Sequence, residues 1–159
     1  GTGFAGCEAC LAPESGYIVT GQISFPTDYD VFLAKLSLGG DLLWIQLFGS
    51  WHEDQGDAVK EVSDGYVIAG LYTTYACLIK RDFNGEPVWE RRLDLPGDHF
   101  SHAFDLEVVD DGFVICGARR PTPVSLGDVY VVKTDRTGNV LWRKTIGGYE
   151  CDVGYFIEL

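Results

Sequence analysis

The sequence predicts an all-β protein built from a repeated four-stranded unit, and three observations carry that prediction. A Lys and a Trp recur at one fixed spacing three times, as Lys35 with Trp44, Lys80 with Trp89 and Lys133 with Trp142, so one register survives in copies that otherwise diverge. The residues around them are β-branched, aromatic and glycine, and no window holds a helical apolar period beyond about two turns. Turn residues interrupt the chain at short, regular intervals.

Each strand of the unit can be justified in order. The stretches 57–62 (DAVKEV) and 102–108 (HAFDLEV) open two of the copies as a first strand, A. Strand B follows in all three as GYIVTG (16–21), GYVIAG (65–70) and GFVICG (112–117). Strands C and D form a hairpin over residues 31–50, 76–97 and 129–148. Asp82 to Gly85 and Asp135 to Asn139 supply its turn, an Asp able to bond its own backbone followed by a Gly free to take positive φ; the first copy has Ser37-Leu-Gly-Gly40 instead. Four strands in about 47 to 53 residues is the size of a propeller blade. The reading is therefore an all-β β-propeller made of four-stranded antiparallel blades, with about three blades in this chain: residues 1–50, 51–97, 98–148, and the start of a further blade at 149–159.

The order Asp-Ala, then Asp-Gly-Tyr-(Ile/Val)-(Val/Ile)-x-Gly, then (Val/Leu)-x-Lys-x-Asp-x-x-Gly-Asn-x-x-Trp-x-Lys-Thr-x-Gly-Gly resembles the tandem β-propeller repeats of bacterial and archaeal secreted or cell-surface proteins. Residues 103–148 fit best, and the resemblance covers nearly the whole chain. It implies an extracellular or cell-envelope location and says little about activity, because propellers host many unrelated functions.

Composition narrows the partners. Twelve basic against 24 acidic residues leave a net charge of −12, which argues against a nucleic-acid backbone as partner. No apolar run reaches the roughly 20 residues of a membrane helix. About three blades are fewer than the about 4 to 8 that propellers use to close. The expectation is that the chain belongs to a longer propeller or that copies close a ring together. No Met stands at residue 1, consistent with a processed or trimmed chain.

In such a meander the A–B and C–D turns lie at one end and the B–C and D–A loops at the other. The second set varies in length and carries the aromatic, imidazole and basic residues, so it is the candidate binding face. Its named residues are Trp51, His52, Glu53, Asp98, His99, His102, Arg119 and Arg120. Trp44, Trp89 and Trp142, at one blade position, are expected to pack between neighbouring blades. Lys35, Lys80 and Lys133 are the other repeat markers. His52, His99 and His102 with Glu53, Asp54, Asp98 and Asp152 are the residue types a metal site needs. The plainer expectation is that the loop Asp side chains cap backbone N–H groups and the His are solvated, so no metal and no cofactor is assigned. Cys7-x-x-Cys10 is half a zinc knuckle without its second half. Cys77 and Cys116 read as packing residues, and the pairing alternatives, Cys7 with Cys10 or a pair between the chain ends, stay open.

No catalytic constellation is visible, and no residue is assigned a catalytic role. The leading functional expectation is a non-enzymatic binding or assembly module for a protein or glycan partner. One alternative is part of a quinoprotein-like enzyme, since Asp135-x-x-Gly138-x-x-x-Trp142 resembles the tryptophan-docking motif of pyrroloquinoline-quinone propellers, although their adjacent cysteines and calcium ligands have no match here. Another is a glycan-processing propeller with Glu53 and Asp98 as carboxylates.

Overall fold

The computed structural model describes residues 3–12 and 16–159, with side chains described from residue 16 onward. The Cys7-x-x-Cys10 pair therefore lies outside the described side chains. Among the described residues there are twelve strands: β1 (Gly3–Ala12), β2 (Gly16–Ser24), β3 (Tyr29–Leu36), β4 (Leu42–Phe48), β5 (Asp54–Val62), β6 (Gly65–Tyr72), β7 (Tyr75–Arg81), β8 (Pro87–Arg92), β9 (Phe100–Val109), β10 (Gly112–Arg120), β11 (Asp128–Asp135) and β12 (Val140–Ile146). They form three antiparallel sheets in sequence order, β1 to β4, β5 to β8 and β9 to β12. No helix among the described residues is long and apolar enough to cross a membrane.

The fixed Lys-to-Trp spacing has a direct structural meaning. Lys35 pairs with Trp44, Lys80 with Trp89 and Lys133 with Trp142 across the last two strands of each sheet, and the register slips by one residue immediately after each Lys. The hairpin turn beyond is closed in one way three times. Asp82 Oδ1 accepts from the backbone N–H of Asn84 and Glu86 at 2.8 and 2.9 Å, and Asp135 Oδ1 from Thr137 and Asn139 at 2.8 and 2.9 Å. In the first sheet the hydroxyl of Ser37 takes the same role toward Gly39 and Asp41 at 3.2 and 3.1 Å. The Gly that follows has φ of 87°, 83° and 79° at Gly40, Gly85 and Gly138, the left-handed region that side chains with a β-carbon resist.

The first strand of each sheet carries a bulge opposite the Gly that ends the second-strand motif. Gly6 pairs with Gly21, Gly56 with Gly70 and Ala103 with Gly117, and the register shifts one step further on. A β-carbon at Gly70 would come within 1.9 Å of the Gln55 carbonyl, and one at Gly117 within 1.9 Å of the His102 carbonyl. The close strand approach explains that Gly. The pairing makes Phe104 the equivalent of Asp57, since each is the extra residue of its bulge.

The middle sheet is covered on both faces. Tyr66, Ile68, Cys77 and Ile79 pack toward Ile18 and Leu33 of the first sheet, with Trp44 and Phe48 alongside. Val67, Ala69, Leu78 and Leu93 pack toward Leu106, Phe113, Ile115 and Tyr130 of the third, with Trp89 alongside. Trp44 meets Tyr66 with ring centroids 6.2 Å apart, and Trp89 meets Phe113 at 6.5 Å. Trp142 is 44% exposed, whereas Trp44 and Trp89 each contact the neighbouring sheet. Residues 149–159, read from sequence as a further first strand, form no strand. They lie against the third sheet, where Gly154 N–H donates to Gly117 O at 3.2 Å and Ile157 N–H to Asp105 Oδ2 at 2.9 Å.

Two outcomes follow. Trp89→Ala should lower unfolding stability by about 3 kcal/mol and Trp142→Ala in dilute solution by less than half as much, read by denaturant melts; equal losses would contradict the packing described. The Asp135 carboxyl loses some solvent, which opposes ionisation, but hydrogen bonds from Asn139 and Thr137 bring it down to about 2. Because the folded value lies below the usual carboxylate range, its contribution is complete above about pH 4 and is lost as pH falls toward 2. A carboxyl NMR titration should find its midpoint near 2, and a midpoint near 4 would mean the turn hydrogen bonds are absent in solution.

Candidate functional site

The loops joining second to third strands and those joining one sheet to the next fall at the same end of the molecule, and their chemistry divides into two groups. Trp51, His52 and Glu53 lie in the connection from β4 to β5. Trp51 is 92% exposed, His52 N–H donates to Ser50 Oγ at 3.3 Å, and Glu53 makes a backbone bridge to Tyr29 at the start of β3. Asp54 anchors this loop from below: its carboxylate accepts the Ser50 N–H and, at 2.8 Å, the N–H of Thr73. Thr73 has φ of 65° in the two-residue turn between β6 and β7, an unfavourable conformation for a β-branched residue that the buried Asp54 carboxylate helps to hold.

The second group gathers where β9 and β10 leave the third sheet. Asp98 is buried and paired with Arg119, whose Nε lies 3.3 Å from Asp98 Oδ2; the same carboxylate accepts the Leu95 N–H at 2.9 Å. Hydrogen bonding from Asp98 holds the Arg119 guanidinium above its ordinary value, against the opposing effect of burial. Arg120 stacks over Phe100, its guanidinium carbon 4.7 Å from the ring centroid, and its carbonyl accepts the His99 N–H at 3.0 Å. His99 and Arg120 are exposed. The structure thus brings Asp98, His99, Arg119 and Arg120 together, while Trp51, His52 and Glu53 occupy the neighbouring junction.

His102 departs from the expectation of a solvated imidazole. It is buried, its Nε2 lies 2.6 Å from Asp57 Oδ2 on β5, and its ring stacks on Phe104 with centroids 4.2 Å apart. Asp57 also accepts from Gln55 Nε2 at 2.9 Å, and Phe104 meets Tyr155 at 5.3 Å. The contact between Asp57 Oδ2 and His102 Nε2, with the Phe104 ring behind, fixes the orientation of the imidazole. Here the pair joins the first strands of two neighbouring sheets. Sequence reading missed Asp57 as its partner because the two residues lie 45 positions apart on the first strands of different sheets.

A cavity of about 310 Å³ opens at the other end of the molecule, between the second and third sheets. Val62, Asp64, Lys80, Val109, Phe113 and Arg136 are among its walls. Lys80 is buried with its ammonium 2.6 Å from Asp64, and Lys133 is likewise paired with Asp111. Two of the three repeat lysines therefore tie down the turn between first and second strands of their own sheet, and Lys35 lies 3.9 Å from Glu61 of the next. Sequence reading set this end aside because its turns are short and uniform. No group of three or more His, Cys, Asp or Glu among the described residues is placed to hold a metal ion. Burial raises the thiols of Cys77 and Cys116, the latter to about 11.

His102→Ala leaves a buried carboxylate without one partner and should lower stability by about 1–3 kcal/mol. His99→Ala, at an exposed position, should change it by less than about 0.5 kcal/mol. Denaturant unfolding of the two variants side by side distinguishes them, and equal costs would remove His102 from the inter-sheet contact.

Searched against protein-family models and against curated proteins, the chain matches no family and no relative. Its functional reading rests on its own geometry.

Proposed function

We propose that the three sheets are consecutive blades of a β-propeller and that the chain is a non-enzymatic binding or assembly module acting outside the cell or at the cell envelope. The observation that carries this is the repetition of one inter-sheet contact, Trp44 against Tyr66 and Trp89 against Phe113, beneath loops whose chemistry differs from copy to copy. A rigid repeated scaffold that varies at one end presents a recognition surface. The partner class is a protein or a glycan. Trp51 offers an exposed aromatic face, and Arg120 on Phe100 offers a cation beside a second ring, the groups that stack on sugars or anchor a protein contact.

The resemblance to the quinoprotein tryptophan-docking motif has a packing explanation. A β-carbon at Gly138 would come within 2.8 Å of Trp89 Cζ3, so the Asp135 turn receives the Trp of the preceding sheet. The Asp98 carboxylate proposed for glycan processing is occupied by Arg119. Neither reading gains a specific observation in its favour.

The test is binding of the 159-residue chain to an immobilised panel of neutral and acidic oligosaccharides and to envelope proteins. Trp51→Ala or Arg120→Ala should weaken a captured interaction by about tenfold with an unchanged melting profile, since each removes about 1.4 kcal/mol of contact. Binding indifferent to both changes, or release of new reducing ends from the glycans, would overturn the proposal.

A further inference from the structure

We infer that the cavity between the second and third sheets is a binding site for a small arylcarboxylate, a molecule of one aromatic ring and one carboxylate. The site lies at the opposite end of the molecule from the variable loops, so it is separate from the proposed recognition surface. Its volume of about 310 Å³ falls at the lower end of the about 300–1,000 Å³ of small-molecule pockets. What it accepts is written at the first junction, where the same positions carry the groups a ligand would bring.

Strand register sets the two junctions side by side. Glu61 pairs with Tyr66 in the second sheet as Val108 pairs with Phe113 in the third. Phe83 and Arg136 each follow the Asp that closes a hairpin turn, since Gly85 N–H donates to Asp82 O at 3.0 Å as Gly138 N–H does to Asp135 O at 3.1 Å. At the first junction the Phe83 ring meets Tyr66 edge-on with centroids 5.6 Å apart. There the Glu61 carboxylate lies 3.9 Å from the Lys35 ammonium, which stands 5.6 Å from the centre of the Tyr66 ring. A ring, a carboxylate and a repeat lysine thus gather on one receiving aromatic. At the second junction the lysine and the aromatic remain, as Lys80 and Phe113, but Val108 stands for Glu61 and Arg136 for Phe83. Val108 ends at two methyl groups. The Arg136 side chain is drawn onto its own sheet, where Nε and Nη2 donate to the Asp110 carbonyl at 3.2 and 2.6 Å. Lys80, Val108, Phe113 and Arg136 all line the cavity, so it opens where a ring and a carboxylate have been exchanged for smaller or diverted groups.

The walls carry the charge that such a ligand needs. Lys80 and Arg136 bring two positive charges and Asp64 one negative, an excess of one cation in a chain of net charge −12. The Lys80 ammonium is buried and has three N–H donors, of which Asp64 takes one at 2.6 Å. Arg136 is held by a carbonyl and makes no ion pair at contact distance among the described residues, while Asp111, the acidic residue of the neighbouring turn, is taken by Lys133. Val62, Val109 and the Phe113 ring supply the apolar part. A ligand ring set offset or edge-on against Phe113 removes apolar surface from water, and its carboxylate accepts charge-assisted hydrogen bonds from the two cations. A neutral ring would leave the cations unmatched, and a bare carboxylate would leave the apolar wall wet. Only the two groups joined in one molecule answer both.

The test is isothermal titration calorimetry of the full 159-residue chain with phenylacetate, alongside acetate and benzyl alcohol, which carry the carboxylate and the ring separately. Saturable one-to-one binding of phenylacetate is expected, about tenfold or more tighter than either fragment. Arg136→Gln removes one cation at an exposed position, and Val108→Glu restores the carboxylate of the first junction at a residue 39% exposed. Each should weaken phenylacetate about tenfold or more with unchanged circular dichroism. Trp51→Ala, on the loop face, should leave it unmoved. No saturable phenylacetate binding at millimolar concentration overturns the inference, as does binding indifferent to both cavity changes or abolished by Trp51→Ala. Acetate or benzyl alcohol binding as tightly as phenylacetate overturns it too. None of these outcomes bears on capture of a glycan or protein by the loop face.

Discussion

A tryptophan from the last strand of one sheet, resting on an aromatic ring and a turn glycine of the next, is the contact on which the remainder of the molecule depends. A four-stranded meander alone has two faces and little thickness, so it cannot remove enough apolar surface from water to offset the ordering of its chain. Stacking supplies the missing burial. The middle sheet, covered on both sides, has β6 and β7 buried almost without interruption, and its sequence accordingly reads as continuous apolar runs where a half-exposed strand would alternate.

Charge in this protein is placed to protect that stack. The repeat lysines lie buried within the packed part of their sheets; turn carboxylates neutralise Lys80 through Asp64 and Lys133 through Asp111, and Lys35 lies 3.9 Å from Glu61 of β5. Arg81 spreads over Phe48 of the preceding sheet, 3.8 Å from its centroid, and Lys60 bridges β5 to β9 through Glu107 at 2.9 Å. Cations here join sheets and turns, while the excess acidic residues leave the surface self-repelling and guard a protein rich in strand edges against association at random.

The loop end obeys a different constraint. Asp54 and Asp98 lie beneath it and satisfy backbone N–H groups, which frees the residues above them to vary without unsettling the strands. Trp51, His99 and Arg120 are exposed above these supports. His102 belongs to the supports, since its ring is enclosed by Phe104 and Asp57.

By itself the sequence determined the strand order, the hairpin turns and the register of the last two strands in each sheet. These follow from local chemistry: the Lys-to-Trp interval is a cross-strand pair, Asp82 and Asp135 close turns through their own neighbours, and the ends of the GYVIAG and GFVICG stretches admit no β-carbon. Only the tertiary structure decided which side chains meet across sheets. His102 on β9 met Asp57 on β5, the first strand of the neighbouring sheet. Asp98 found Arg119 from a different strand, a cavity opened at the end with the uniform turns, and Trp142 stayed exposed where its two counterparts are covered. Each of these depends on distances between strands far apart in the chain, and no local pattern of residues encodes such a distance.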